Sequence, residues 1–136
     1  MNYLDTFICI ADDCTAESGV VPEERGGKKT VAVIQYEMLA DHPYELTQED
    51  VLFQTHVRHK GFSAAELKSK GKKMREEFFA KEQPCLRTSP LARKYGWGFH
   101  FDSSGKVAVV AIDSKEYKQL SKRAAKVVKA LRTSRA

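Results

Sequence analysis

Three places in this chain hold residue types suited to chemistry. Arg25-Gly26-Gly27-Lys28-Lys29-Thr30 sets three cations on a glycine-rich backbone, and such a backbone can cradle an anion. A phosphate loop of the nucleotide-hydrolase kind needs Gly-Lys followed directly by Ser or Thr at the opening of a helix. Here Lys29 intervenes and a strand is expected to follow, so that reading is rejected, and a solvated surface loop is the ordinary alternative. Ser89-Pro90 reads as a helix start, with Ser as N-cap and Pro in the first helical position. The amides of such an end can hold an anion beside Arg87; the simpler reading is that Ser89 caps the helix. His100 is the third place, an imidazole able to titrate near neutral pH, with a hydrogen-bonded, half-buried histidine as the bland alternative. Together Arg25, Lys28, Lys29, Arg87, Ser89, Tyr95 and His100 form a candidate anion site, suited to a carboxylate or phosphate.

Other chemistry finds less support. His56 and His59 stand three apart and would share a helix face, but two ligands make an incomplete metal site, so no metal is assigned. Cys85 with Arg87 and Arg93 does not reproduce a Cys-x5-Arg phosphatase loop, because Leu91 occupies the arginine's place. No nucleophile–base order is legible, no catalytic residue is assigned, and no cofactor is called for.

The elements that must position these residues are read from pattern. Asp102-Ser103-Ser104-Gly105 reads as a type I turn with Gly105 left-handed, the common three-residue hairpin loop. Asp102 then faces Lys106, Phe101 faces Val107, Phe99 faces Val109 and Trp97 faces Ala111. Strand side chains alternate, so those residues share one face, while Gly98 and His100 lie opposite Val110 and Ala108 on the other. A two-residue loop would move Lys106 in with the aromatics and is rejected. The aromatic face is expected to be core, with Trp97 buried in it. Residues 90–95 form a short helix ended by Gly96.

Elsewhere, residues 3–11 are expected as a strand and residues 12–29 as a long connection punctuated by Gly19, Pro22, Gly26 and Gly27. The β-branched, apolar run 30–38 is expected as the strongest strand. Thr47 with Asp50 and Ser63 with Glu66 are capping boxes, opening helices over 48–60 and to about residue 81. The first of these also alternates like a strand through Val51, Phe53, Thr55 and Val57. A last helix begins at Asp113 or Ser114, with Tyr117, Leu120, Ala124, Val127, Val128 and Leu131 as its apolar stripe. The expected fold is α+β, with about four strands in a mainly antiparallel sheet and three longer helices mostly on one face.

A chain of 136 residues, 42% hydrophobic and 30% charged, is expected to form one globular domain over 1–136, with 132–136 a frayed tail. No apolar run has the length of a membrane span, and the N-terminus lacks the pattern of a signal peptide. Three cysteines at spacings that match no zinc motif suit a reducing cytoplasm. The net charge of +5 is uneven: residues 114–136 carry eight Lys or Arg against one acid, Glu116, for +7, leaving −2 on the rest. A nucleic-acid reading therefore rests on Lys115, Lys118, Lys122, Arg123, Lys126, Lys129 and Arg132 of the last helix. A solvated face on a packed amphipathic helix is the favoured alternative.

Several stretches also carry a family resemblance: Leu4-Asp5-Thr6-Phe7-Ile8, the run from Lys28-Lys29-Thr30 to Glu37-Met38-Leu39, and His42-Pro43-Tyr44-Glu45-Leu46-Thr47-Gln48-Glu49-Asp50-Val51-Leu52-Phe53. Cys85-Leu86-Arg87-Thr88-Ser89-Pro90-Leu91 and Lys94-Tyr95-Gly96-Trp97-Gly98 belong with them. Over about residues 3–117 the chain resembles a family of small, uncharacterised, mostly bacterial proteins classed as a domain of unknown function. The resemblance implies no activity, cofactor or site residue. The function expected is binding of a small anionic molecule. A nucleic-acid-associated protein using the basic C-terminal helix and an interaction module without a ligand are the alternatives.

Overall fold

The computed structural model describes residues 2–133. In chain order the elements are β1 (Thr6–Cys9), α1 (Val31–Ala40), β2 (Leu46–Thr47), α2 (Gln48–Lys60), α3 (Ala64–Ala80), α4 (Pro90–Arg93), β3 (Trp97–Phe101), β4 (Lys106–Ala111), α5 (Lys115–Arg123) and β5 (Lys126–Lys129), with a 3-10 turn at Leu86–Thr88. The fold is α+β. Its five strands run in the order β2-β4-β3-β1-β5. All neighbours are antiparallel except β1 and β5, which are parallel.

The β3–β4 hairpin has the register its turn dictates. Trp97 pairs with Ala111, Phe99 with Val109 and Phe101 with Val107. Gly105 sits at φ 81°, its amide donates to the Asp102 carbonyl at 3.0 Å, and Asp102 N–H donates to Lys106 O at 2.9 Å. One face of β3 and β4 packs Phe99, Phe101 and Val107 against Ile34, Met38 and Leu39 of α1, Val51 of α2 and Leu91 of α4. The other face, with Phe7 of β1 and Val110 of β4, is covered by Tyr117 and Leu120 of α5. Phe99 and Phe101 are fully buried. Trp97 is not, contrary to expectation. It packs against Tyr36 with ring centroids 5.3 Å apart and spends its indole N–H on Val20 O at 2.8 Å, which ties the long 12–29 connection to the sheet.

Two segments depart from the sequence reading. The run 30–38, expected as a strand, is helix α1. The Thr30 hydroxyl caps it by accepting from Val33 N–H, and Ala32, Val33, Ile34, Gln35, Met38 and Leu39 are all buried. A helix buried on nearly every side reads as a continuous apolar run, which periodicity cannot tell from a buried strand. The last helix stops at Arg123, with Ala124 extended at its C-cap. Val127 and Val128, assigned to its apolar stripe, stand instead in β5, paired with Phe7 and Ile8. Of the stripe, Tyr117 and Leu120 pack from the helix and Ala124 from its C-cap.

Both capping boxes form as read, Thr47 with Asp50 and Ser63 with Glu66. Of the tail expected at 132–136, Arg132 O accepts from Arg93 at 2.9 Å and Thr133 N–H donates to Asp13 Oδ2 at 2.9 Å; residues 134–136 lie outside the described residues.

Two substitutions check this architecture by urea denaturation. Thr30→Ala should cost about 1 kcal/mol through loss of the α1 cap, an effect absent if the segment were a strand. Phe99→Ala should cost about 3–5 kcal/mol, and Trp97→Ala less than Phe99→Ala because the indole is already partly solvated.

Candidate functional site

The residues of the candidate anion site are dispersed. Arg25 and Lys28 flank a tight two-residue turn in which Gly26 and Gly27 take φ of 59° and 75°. Each flanking amide donates to the other's carbonyl at 3.0 Å, so two of the loop's donors are spent on the turn itself. Lys29 turns away to Glu37, Nζ to Oε1 at 2.8 Å, and that carboxylate pushes the lysine pKa up. Arg87 lies at the sheet's β5 end: its Nε donates to Lys129 O at 2.6 Å and its carbonyl accepts from Leu131 N–H at 2.9 Å. Tyr95 is half-buried against the α1 side of the core.

Ser89 caps α4, accepting from Leu91 N–H at 3.3 Å. It is buried and donates to Gln35 Oε1 at 2.5 Å. Gln35 Nε2 donates to Thr55 Oγ1 at 3.4 Å, and that hydroxyl donates to Val51 O at 2.6 Å. The chain ties α4, α1 and α2 together and satisfies a buried amide, which is costly to leave unpaired. His100 lies across the sheet. Its alternation with Phe99 and Phe101 puts it on the α5 face, beside Phe7 at 6.5 Å between ring centroids. A single pocket cannot hold Ser89 and His100, because the sheet separates them.

A small cavity of about 220 Å³ does open beside Ser89, reached by Gln35, His56, His59 and Cys85. Its polar groups are largely committed. His56 stacks on Phe78 at 4.7 Å, and Tyr3 Oη donates to Cys85 Sγ at 3.5 Å. Burial pushes the Tyr3 phenol up to about 12. Among the described residues, no three His, Cys, Asp or Glu side chains gather as a metal site.

The α5 face holds a more open site, a groove of about 560 Å³. Helix α5 packs over β1 and β4 and leaves a strip of β4 with a cleft above it. Ala108 and Val110 form the floor, Leu120, Gln119 and Arg123 of α5 one wall, and Tyr44 with Pro43 the other. Small floor residues are what make the room. Arg123 is exposed, and no carboxylate pairs with it among the ion pairs of the described residues. Ser114 at the helix start is committed, donating to Ala111 O at 2.7 Å and accepting from Tyr117 N–H.

Tyr44 is held in place against its own backbone preference. Its φ is 59°, a left-handed conformation that costs a bulky residue free energy and persists only when neighbours over-determine it. Two bonds do so. Its N–H donates to Val107 O at 3.0 Å, and its Oη lies 2.8 Å from His100 Nδ1, with the rings edge to face at 5.6 Å. Burial pushes the phenol pKa up, helped by Asp102. Burial also holds the imidazole below its usual range, partly offset by Asp102 and Asp5. Both groups therefore stay neutral and share a hydrogen bond without transfer of the phenol proton, and Tyr44 is fixed as a groove wall.

Sequence reasoning placed His100 on the correct face but missed Tyr44 and the groove. Nothing in His42-Pro43-Tyr44 announces a left-handed tyrosine. The cations of the nucleic-acid reading divide into Lys115, Lys118, Lys122 and Arg123 on α5, Lys126 and Lys129 on β5, and Arg132 beyond it. Lys129 pairs with Asp12 at 2.6 Å.

The chain belongs to the family of unknown function DUF6157, which matches residues 1–136. No curated protein and no solved structure matches it.

The burial of His100 sets a pH dependence. A histidine whose folded pKa is depressed favours folding while neutral. Its contribution is present above the unfolded value of about 6.5 and is lost as pH falls through the folded value. His56 shifts the same way, through burial and the nearby Lys60 and His59 charges. The Tm should fall between about pH 7.5 and pH 5. His100→Asn should shrink that fall without abolishing it, because His56 still titrates. An unchanged pH profile in His100→Asn would remove His100 from the linkage.

Proposed function

We propose that this member of the DUF6157 family binds a small molecule with an apolar body and one anionic end, in the groove between α5 and β4. The observation that supports this reading is the groove itself, about 560 Å³ beside α5. Ala108 and Val110 floor a cleft whose volume lies within the usual range for small-ligand sites, and a guanidinium with no ion-pair partner among the described residues, Arg123, stands at its wall. The apolar body would lie over Ala108, Val110 and Leu120, displacing water from the groove. The anionic end would take the Arg123 guanidinium, which suits a carboxylate or phosphate through its forked donors. Gln119 adds a donor and an acceptor beside it, and the Tyr44 ring closes the far side. The expected ligand class is thus kept, at a different place.

Two coarser features accompany this reading. Among the described residues no helix is long and apolar enough to cross a membrane. Cys9, Cys14 and Cys85 are free thiols, which suits residence in a reducing compartment such as the cytoplasm.

Titration with octanoate and with anilinonaphthalene sulfonate, followed by backbone amide shifts, tests the site. The amides of Ala108, Val110, Gln119 and Arg123 should move together in a saturable way. Arg123→Gln should weaken binding about tenfold, the worth of one charge-assisted hydrogen bond, and Ala108→Leu should block it by filling the floor. Shifts confined to another part of the chain, or equal affinity in Ala108→Leu, would refute the groove as the site.

A further inference from the structure

We infer that the outward face of α5, continued by β5, is a binding surface for the phosphate backbone of nucleic acid. The groove and this surface use different sides of one helix. Tyr117, Leu120 and Ala124 face the sheet, and Glu116, Gln119 and Arg123 line the groove. At about 100° per residue, Lys115, Lys118 and Lys122 fall within an arc of about 60° on the remaining side. All three are exposed, as is Lys126 at the start of β5. Among the described residues none of the four is in an ion pair; the pairs there join Lys29 to Glu37, His42 to Glu45, Arg75 to Asp50 and Lys129 to Asp12. The one acid of α5, Glu116, points into the groove side and leaves the lysine stripe unneutralised.

The charge behind the stripe has the same sign. Around the β5 end, Arg87 and Arg93 spend donors on the carbonyls of Lys129, Leu131 and Arg132. Carbonyls orient a guanidinium without cancelling its charge. Residues 1–113 sum to −2, against +7 for residues 114–136, so the molecule is electrically polarised. Such a field steers a polyanion to one end. Helix α3 is the contrasting case. It also carries exposed Lys68, Lys70, Lys72 and Lys73, but at about 100° per residue these scatter around its circumference, and Glu66, Glu76 and Glu77 lie among them.

The geometry favours phosphates over the other anionic surfaces. From Lys115 to Lys122 the helix rises about 10 Å, which is about three nucleotide steps of one strand. The stripe carries no exposed aromatic side chain on which bases could stack, so binding is to the backbone and indifferent to sequence. On α5 the stripe carries no exposed large apolar side chain, and the exposed Val127 of β5 and Leu131 beyond it lie off the helix, whereas a helix that lies in a membrane interface buries an apolar face of its own.

The test is fluorescence anisotropy of a labelled random-sequence duplex with the full chain between about 50 and 200 mM salt. Three phosphate contacts predict a slope of about −2.7 in log K against log salt, a loss of about 40-fold across that range. Lys115→Gln/Lys118→Gln/Lys122→Gln should remove about that slope, and the same three positions as Arg should keep it. Lys68→Gln/Lys70→Gln/Lys72→Gln on α3 should leave it unchanged. Thermal melts of each variant confirm that these exposed changes leave the fold intact. The inference is overturned if duplex binding is absent at the lowest salt, if the α3 variant loses as much slope as the α5 variant, or if phosphatidylserine vesicles or polyglutamate bind the stripe as tightly as the duplex.

Discussion

The turn at Asp102–Gly105 sets the parity on which the other contacts rest. A three-residue loop with Gly105 left-handed puts Phe101 opposite Val107 and Phe99 opposite Val109, and alternation then sends Gly98 and His100 to the other face. One residue more or less would turn every side chain over. Because the parity holds, the aromatic face offers a continuous apolar surface to α1, α2 and α4, and the opposite face offers small side chains. Ala108 and Val110 on that second face are what leave a groove once α5 has docked. The strained Tyr44 depends on the same parity, since its two anchors are Val107 O and His100 Nδ1.

The helical layer is held by a second constraint, the need to satisfy polar groups inside an apolar pack. Gln35 sits among apolar side chains of α1 and would be costly without partners. Ser89 and Thr55 supply them from α4 and α2. Gln48 acts similarly, its Oε1 accepting from Leu86 N–H at 2.8 Å at the 3-10 turn. These bonds fix how the helices meet, and they occupy the side chains that chemistry would otherwise claim. Ser89 has its hydroxyl committed as donor and acceptor at once, so its helix start is closed to an outside anion.

Helix α5 distributes three roles by its period. One side packs on the sheet, one forms a groove wall, and one presents lysines to solvent. A helix of nine residues can do this because neighbours three and four apart share a side. Its early end matters equally. Stopping at Arg123 lets Lys126–Lys129 join β1 as a parallel edge strand. Lysines at both ends of that strand are a usual protection for an exposed edge, and here they prolong the basic surface.

The features legible in the chain itself were those governed by local stereochemistry. The hairpin register follows from turn type and side-chain alternation, and α2, α3 and α4 follow from capping residues whose bonds span three positions or fewer. Residues 30–38 and 124–131 were not legible, because their conformation depends on what surrounds them. A helix buried on nearly every side loses its amphipathic pattern, and two valines between lysines fit a helix stripe or an edge strand equally well. The candidate site was legible only in fragments. His100 could be assigned to a face by alternation. Its partner Tyr44 could not, because a left-handed tyrosine is disfavoured locally and is held by bonds from β3 and β4. Likewise Arg25, Lys28, Lys29, Arg87 and Ser89 are all cationic or anion-competent as residue types, yet spatial convergence is not a property of type. The chain decided its turns, caps and charge balance alone; the tertiary structure decided which sides meet, because only packing determines which of a residue's possible partners lies within reach.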